Sequence, residues 1–361
     1  MSPPVAGQLQ GRVHSLDLVR GICALGVATY HFLSWRLDVV IESLGAFGVY
    51  TFFVLSALTM MLVYGQKFSS QISLGAVQTF YLNRVARLVP LLALVSVGSA
   101  AAQIALFDAP PGPAVVQAFM TGTGLFGLHL PGLLSNTPGA WSLGIEAVFY
   151  LLFPVIAIAS MNVRVGTLAV TALVLVLSQQ VLIAFINAAG VPDFWHYYAT
   201  PLVFAPFFAT GLVLYRWELR PRVAFLAVSL AALAAVFTFS IFFPENLYRS
   251  HGPYLTLLAL CIAAVGFAYR SEFPRRLEGV AGYLGDISYS LYLTHWFSYQ
   301  AVALVSERFR LSPRVQFLFF AVVAVGVARV VFVAFERPAR DMIRRRFSRI
   351  EAPREAPSLA P

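Results

Sequence analysis

Ionisable side chains are rare in the long apolar runs of this chain, and the few that occur there are equipped for chemistry. Arg20 and His31 share one run, about three helical turns apart with a rise of about 16 Å. Glu146 lies in a second run and His295 near the middle of a third. Such groups are costly in an apolar interior, so they usually face a cavity or a partner. We therefore predict one buried site that contains two imidazoles and a carboxylate at similar depth.

The residue types of this predicted site suit proton transfer. A neutral imidazole is a competent general base, and a nearby carboxylate stabilises the imidazolium that forms. We therefore predict His31 and Glu146 as catalytic residues that activate a hydroxyl nucleophile. Tyr292 shares a helical face with His295, and both are candidate substrate contacts. The alternative for His31 and Glu146 is hydrogen bonding between helices, and for His295 it is packing.

Arg84 and Arg87 form a second candidate site. They lie three residues apart, so they share one helical face where an apolar run begins. Paired guanidinium groups suit phosphates, which they grip with parallel hydrogen bonds. Arg20 at the same boundary favours this interpretation. The alternative is that the pair only orients the protein, because basic residues gather at cytoplasmic ends of membrane spans.

The amino-acid composition indicates that membrane-spanning helices position these residues. Of 361 residues, 59% are hydrophobic and 11% are charged, whereas soluble domains have about 25% charged residues. We predict an all-α integral membrane protein, a bundle of about ten transmembrane helices. The apolar runs long enough to cross are 16–36, 43–64, 88–107, 141–161, 165–187, 198–216, 223–243, 254–270, 283–305 and 314–336. The segment near 113–137, interrupted by glycine and proline, is predicted to be re-entrant or to lie on the surface.

The distribution of lysine and arginine orients this bundle. If 113–137 does not cross the membrane, most basic residues fall on the same side as the arginine-rich stretch 337–354. If it does cross, the basic residues are spread over both sides and no longer favour one orientation. We therefore expect both termini in the cytoplasm. The expected parts are a tail over 1–13, a membrane domain over 14–340, and a basic, proline-rich, disordered tail over 341–361. The net charge of +9 suits the bilayer's anionic leaflet and requires no nucleic-acid partner.

Six motifs follow one another along the chain. They are Leu16 to Gly21 with Tyr30-His31, Phe52 to Ser56, Asn83 to Pro90, Trp141 to Glu146 with Phe149-Tyr150, Ser288 to His295, and Glu336-Arg337-Pro338. In this order they resemble the acyltransferase-3 family of membrane O-acyltransferases. The resemblance covers about 14–340, nearly the whole chain.

The resemblance implies a ten-helix bundle in the bacterial cytoplasmic (inner) membrane. Such enzymes take an acyl group, most often acetyl, from cytoplasmic acyl-CoA. The acceptor is a hydroxyl of a glycan, of peptidoglycan or of a macrolide-like small molecule. By motif, His31 is implied as the catalytic base, Arg20 as its partner and Glu146 as a site acid. The same motifs imply CoA-phosphate contacts at Arg84 and Arg87, and Trp141 is then a substrate contact.

A multi-span transporter or exporter of a sugar-linked or acylated small molecule is the alternative function. Carriers commonly have two related halves, and we find no convincing repeat between 1–160 and 161–340. The cysteines, Cys23 and Cys261, lie in apolar segments with neither a disulfide framework nor metal-ligand spacing, so we expect no metal cofactor.

Overall fold

Helices make up nearly all of the described chain. The computed structural model describes residues 12–70, 73–129, 131–190, 194–217 and 251–351. The helices are α1 (His14–Leu37), α2 (Glu42–Ser70), α3 (Leu74–Phe107), α4 (Pro111–Thr123), α5 (Pro131–Leu134), α6 (Ala140–Asn162), α7 (Val165–Ala188), α8 (Phe194–Tyr198), α9 (Pro201–Arg216), α10 (His251–Arg270), α11 (Glu278–Phe309), α12 (Pro313–Val331) and α13 (Arg337–Glu351). No strand occurs in these ranges, so the predicted all-α class is confirmed.

Seven helices within the described ranges are long and apolar enough to cross a membrane. They are α1, α2, α3, α6, α7, α10 and the continuous stretch Pro313–Phe347. The apolar helix α9 is shorter, with 16 residues, and α11 is 32 residues long but rich in polar side chains. The protein is therefore a multi-pass membrane protein. The predicted span 223–243 lies outside the described residues.

Helix α3 begins well before the predicted run at 88. Ser73 caps its first turn, because its side chain accepts a hydrogen bond of 3.1 Å from the backbone N–H of Ala76. The hydropathy pattern missed this half of the helix because charged side chains lower hydropathy without breaking backbone hydrogen bonds. Arg84 and Arg87 consequently lie inside a continuous helix, on one of its faces.

The segment near 113–137 is broken into short pieces, as predicted. It contains α4, a short 3-10 turn over Leu125–Leu128, and α5. Gly124 ends α4 in a left-handed conformation with φ of 78°, which glycine adopts without steric cost. Gly127 is needed for a different reason, since a Cβ there would lie 2.1 Å from the Gly144 carbonyl oxygen. This close approach presses the segment onto α6.

The stretch from residue 341 onward, for which the sequence predicts a disordered tail, is helical as far as residue 351. A π-helical turn over Phe332–Glu336 joins α12 to α13, so the helix continues. Helix α13 packs against α3, and packing stabilises helices whose composition alone would leave them unfolded. The remaining tail, 352–361, and the N-terminal residues 1–11 lie outside the described residues.

Helices α1 and α11 pack closely and position the two histidines. A Cβ on Gly21 would lie 2.4 Å from the Leu284 Cβ, so only glycine permits this distance between the helices. His31 lies ten residues after Gly21, and its contact, His295, lies eleven residues after Leu284. The two helices therefore run parallel, and their close packing holds the histidines side by side.

Candidate active site

His31 and His295 form a hydrogen-bonded pair. Nε2 of His295 lies 3.0 Å from Nδ1 of His31, and the rings stack with centroids 4.9 Å apart. His295 is fully buried, and its Nδ1 lies 2.8 Å from the backbone carbonyl oxygen of Tyr292. The Trp35 ring packs against both imidazoles, with its centroid 4.6 Å from that of His31 and 5.9 Å from that of His295. Both imidazoles are thus held in fixed orientations.

This chain of hydrogen bonds assigns the protons of the two rings. A carbonyl oxygen only accepts, so Nδ1 of His295 carries a proton and donates it to Tyr292. In a neutral imidazole the other nitrogen is then an acceptor, so Nε2 of His295 accepts from Nδ1–H of His31. Nε2 of His31 is then the unprotonated nitrogen. An imidazole in this tautomer can accept a proton at Nε2.

His31 lines two adjoining cavities, which share Gly139, Trp141 and Trp195 and which we together call the aromatic cavity. Its walls include three indole rings and three side-chain amides. Its lining includes Tyr30, His31, Gln103, Gln117, Asn136, Trp141, Trp195, Tyr292 and Trp296. Trp141 meets Trp195 edge to face, with centroids 5.0 Å apart. The described lining carries no Asp, Glu, Lys or Arg. The cavity therefore suits a neutral ligand with hydroxyl groups and apolar faces.

A second cavity, which we call the arginine cavity, lies beside the first. Its polar lining comprises Arg20, Ser56, Thr59, Arg84, Arg87, Ser142, Glu146, Tyr150, Ser288, Tyr289 and Tyr292. Three guanidinium groups face one carboxylate, so positive charge is in excess. The structure brings all three predicted arginines together, although they come from two helices.

Two of these guanidinium groups lack anionic partners. Arg84 is surrounded by the rings of Tyr64, Phe80 and Tyr150 at 5.5 to 5.8 Å, and its Nε is buried without a hydrogen-bond partner. Arg87 makes no hydrogen bond or ion pair with any described residue. Buried polar groups are normally satisfied, so unused donors facing a cavity indicate a binding site for an anion.

Glu146 does not lie beside His31 as we expected. Its carboxylate accepts a short hydrogen bond from the Tyr150 hydroxyl, which also lies 3.2 Å from Ser56 Oγ. No described contact joins Glu146 to either histidine, and its side chain lines the arginine cavity. Depth estimated along a helix says nothing about the direction in which a side chain faces. His295, rather than Glu146, is the partner of His31.

Arg20 also lies apart from His31, although the two share α1. Its guanidinium is 3.4 Å from Asp17 and lines the arginine cavity. Arg20 therefore belongs with Arg84 and Arg87. The partnership with His31 that the motif implies is not a direct contact.

Tyr292 stands where the two cavities meet and lines both of them. Its hydroxyl donates to the Gly139 carbonyl oxygen at 2.9 Å and lies 2.8 Å from Ser142 Oγ. Gly139 has φ of +80°, and a Cβ there would come within 3.0 Å of the Tyr292 hydroxyl. Glycine therefore allows the tyrosine to reach this position. Ser142 was missed as a site residue, although its place in the motif Trp141 to Glu146 was a usable signal.

The chain matches a known family over most of its length. A family profile, Acyl_transf_3, described as "Acyltransferase domain", matches residues 13–333. The chain belongs to this acyltransferase family. The predicted resemblance is therefore confirmed.

A curated relative of this acyltransferase comes from Bacillus subtilis (strain 168). It is named "Putative peptidoglycan O-acetyltransferase YrhL" and is 24% identical over 371 residues. The alignment covers 93% of this chain and 56% of the relative, so the chain spans about half the relative's length. No solved structure matches the chain.

Proposed function

We propose that this protein is a membrane O-acetyltransferase that moves an acetyl group from cytoplasmic acyl-CoA to a hydroxyl of a glycan. The observation that carries the proposal is the contact between two cavities of different chemistry, one cationic and one neutral, at Tyr292. The name of the Bacillus subtilis relative supports both the acetyl group and the glycan acceptor.

The arginine cavity is the proposed donor site. CoA carries phosphates at one end and the thioester at the other, so its binding requires cations near the entrance and a path inward. Arg84 and Arg87 offer unused donors, and guanidinium groups bind phosphate strongly because the hydrogen bonds are charge-assisted. The thioester would then extend past Ser142 toward Tyr292.

The aromatic cavity is the proposed acceptor site. Indole rings pack against the apolar faces of sugar rings, while side-chain amides exchange hydrogen bonds with sugar hydroxyls. Trp141, Trp195 and Asn136 present these groups around His31. A hydroxyl bound here would lie against the unprotonated Nε2.

The proposed reaction uses one proton shuttle. Nε2 of His31 takes the proton from the acceptor hydroxyl, whose oxygen attacks the thioester carbonyl carbon. The carbonyl oxygen becomes an oxyanion, which is stabilised when the hydroxyl of Tyr292 or of Ser142 turns from the Gly139 carbonyl oxygen and donates its hydrogen bond to the oxyanion instead. When the C–S bond breaks, the sulfur takes the proton from His31. The products are an O-acetyl ester and free CoA.

The membrane arrangement that fits this reaction is the one expected from the charge distribution. Both termini would be cytoplasmic, with the arginine cavity facing the cytoplasm of a bacterial inner membrane and the aromatic cavity facing outward. Region 14–340 would form the catalytic domain. Labelling of single cysteines introduced at 67 and 129 tests this, because the two positions must react from opposite sides.

A transfer assay tests the function directly. Purified protein in nanodiscs receives radiolabelled acetyl-CoA and soluble peptidoglycan fragments, and base-labile label on the glycan is measured. We expect labelled glycan from the native protein and from His129→Gln, which changes an exposed histidine outside both cavities. His31→Gln should give none. Label that crosses sealed vesicles unchanged, without ester formation, would instead indicate a transporter.

A further inference from the structure

Two cations near Tyr64, Lys67 and Arg344, are not used by the reaction described above. Nζ of Lys67 lies 5.7 Å from the Tyr64 ring centroid, and Cζ of Arg84 lies at the same distance. Arg344 lies on α13, which packs against α3, and its guanidinium interacts electrostatically with Tyr64 and Arg84. We call Lys67, Arg84 and Arg344 the Tyr64 cluster. Its members come from α2, α3 and α13.

Helix α13 brings Arg344 into the cluster. It packs against α3, and Arg340 precedes Arg344 by one helical turn on the same face. Asp341 lies 3.5 Å from Arg340 and 3.9 Å from Arg337, so its single carboxylate is shared by two arginines. Arg344 makes no ion pair or hydrogen bond with the described chain. Asp341 also interacts electrostatically with Arg344, so one carboxylate serves three arginines and the cluster keeps a net positive charge.

The Tyr64 cluster is continuous with the arginine cavity, because Arg84 belongs to both. Arg87 lies one turn further along α3, with a rise of about 4.5 Å, and also lines the cavity. The cations thus follow one another from Arg87 through Arg84 to Lys67 and Arg344. Like charges so close repel, and an anion with phosphates at more than one position would relieve that repulsion along the whole row.

We propose that Arg344 and Lys67 bind the ribose 3′-phosphate of the CoA donor, while Arg84 and Arg87 bind its diphosphate. This rests on the proposed function, which names acyl-CoA as the donor. The 3′-phosphate and the diphosphate are attached to the same ribose, so their separation suits neighbouring cations on adjacent helices. The basic stretch that the composition marked as a disordered tail thereby becomes part of the donor site.

An anionic lipid headgroup offers the same phosphate chemistry. The opposite face of α13 suits lipid better, because Met342 is 65% exposed there and lies with Arg345 and Arg346 around one groove. The Tyr64 cluster instead adjoins the buried, unpartnered Nε of Arg84. This difference favours the soluble donor as the occupant of the cluster.

Comparison of acetyl-CoA with 3′-dephospho-acetyl-CoA tests the proposal. For the native protein we expect a KM about tenfold higher for the dephospho donor. Arg344→Ala should raise the KM for acetyl-CoA about tenfold, leave that for the dephospho donor unchanged, and leave kcat unchanged. Arg344→Lys should restore part of the difference. Arg346→Ala is the matched control, since it removes an arginine about 200° around the same helix, and should change neither KM.

Two outcomes would overturn the proposal. In one, Arg344→Ala raises the KM for both donors equally. In the other, Arg344→Ala raises the KM only in nanodiscs that contain anionic lipid, and does so for both donors. That result would mean that the cluster binds a lipid headgroup. Binding of CoA and dephospho-CoA, measured by calorimetry without an acyl group, gives the same comparison without turnover. A preference for CoA that depends on Arg344, in a protein that transfers no acetyl, would sustain this inference and refute the proposed function.

Discussion

The arginine cavity and the aromatic cavity share the wall formed by Val49 and Tyr292, but their chemistry differs. The first has three guanidinium groups and one carboxylate, with hydrogen-bond donors that no protein group uses. The second has a histidine pair, tryptophans and side-chain amides, and no charged side chain in its described lining. In the proposed function, this difference separates the binding of a charged donor from the activation of a neutral acceptor.

The separation has a physical reason. An imidazole close to three guanidinium groups would be a poor base, because its protonated form would be repelled. Distance from those cations avoids this repulsion, and the hydrogen bond between Nδ1 of His31 and His295 holds the ring in place. The phosphates meanwhile need the cations that the base must avoid. Each cavity can therefore be altered without the other, and this independence is open to test.

Replacing His31 should give the largest effect. In His31→Gln we expect kcat to fall about 1000-fold, because general base catalysis at Nε2 is lost. CoA binding, measured by calorimetry, should stay unchanged, since the arginine cavity is intact. Native thermal stability in detergent serves as the folding control. Turnover at the native rate would remove His31 from the mechanism.

Replacing Arg84 and Arg87 together should give the next largest effect, on the arginine cavity. In the double alanine variant we expect the donor KM to rise about 100-fold, since each lost charge-assisted contact costs about tenfold. The KM for the acceptor should stay the same. Single lysine variants should lose less, because they retain the charge but not the paired hydrogen bonds. A change confined to the acceptor KM would reverse the assignment of the cavities.

His295 should affect the rate without affecting binding of either substrate. For His295→Leu we expect a fall in kcat of about 30-fold, because Nδ1–H of His31 loses its acceptor and the ring tautomer is no longer held. His295→Gln should retain more activity, since its amide oxygen can accept that hydrogen bond. Equal losses in the two variants would indicate that His295 acts only through packing.

Trp141 should give the smallest effect, confined to the acceptor. We expect Trp141→Ala to raise the acceptor KM about tenfold through loss of stacking area, with the donor KM unchanged. Trp141→Phe should lose less. Trp217→Ala, which changes an exposed tryptophan outside both cavities, is the control. An altered donor KM in Trp141→Ala would show that the cavities are not independent.

Local features of the chain were sufficient to predict much of the fold. Helix α1 was predicted at 16–36 and is observed at His14–Leu37, and α6 was predicted at 141–161 and is observed at Ala140–Asn162. Length and hydropathy are local properties, so they can be read without knowing what a helix contacts. The shared face of Arg84 and Arg87 followed in the same way from their spacing.

The pairing of side chains could not be predicted in this way. His31 and His295 are 264 residues apart, and they meet only because Gly21 lets α1 approach α11. Glu146 lies in the arginine cavity, because its position along α6 does not determine which way its side chain faces. Arg344 lies in a stretch whose composition predicts disorder. Helix α13 nevertheless packs on α3, and Arg344 interacts electrostatically with Arg84.

The amino-acid sequence by itself determined the membrane class, the positions of the apolar helices, the family and the residue types available for catalysis. Only the tertiary structure decided that the imidazoles pair with each other, and that the carboxylate and the arginines line a separate cavity. The physical reason is that helix formation and hydropathy depend on neighbours in the chain. The rotation and close approach of helices depend instead on contacts between distant segments, down to individual glycines.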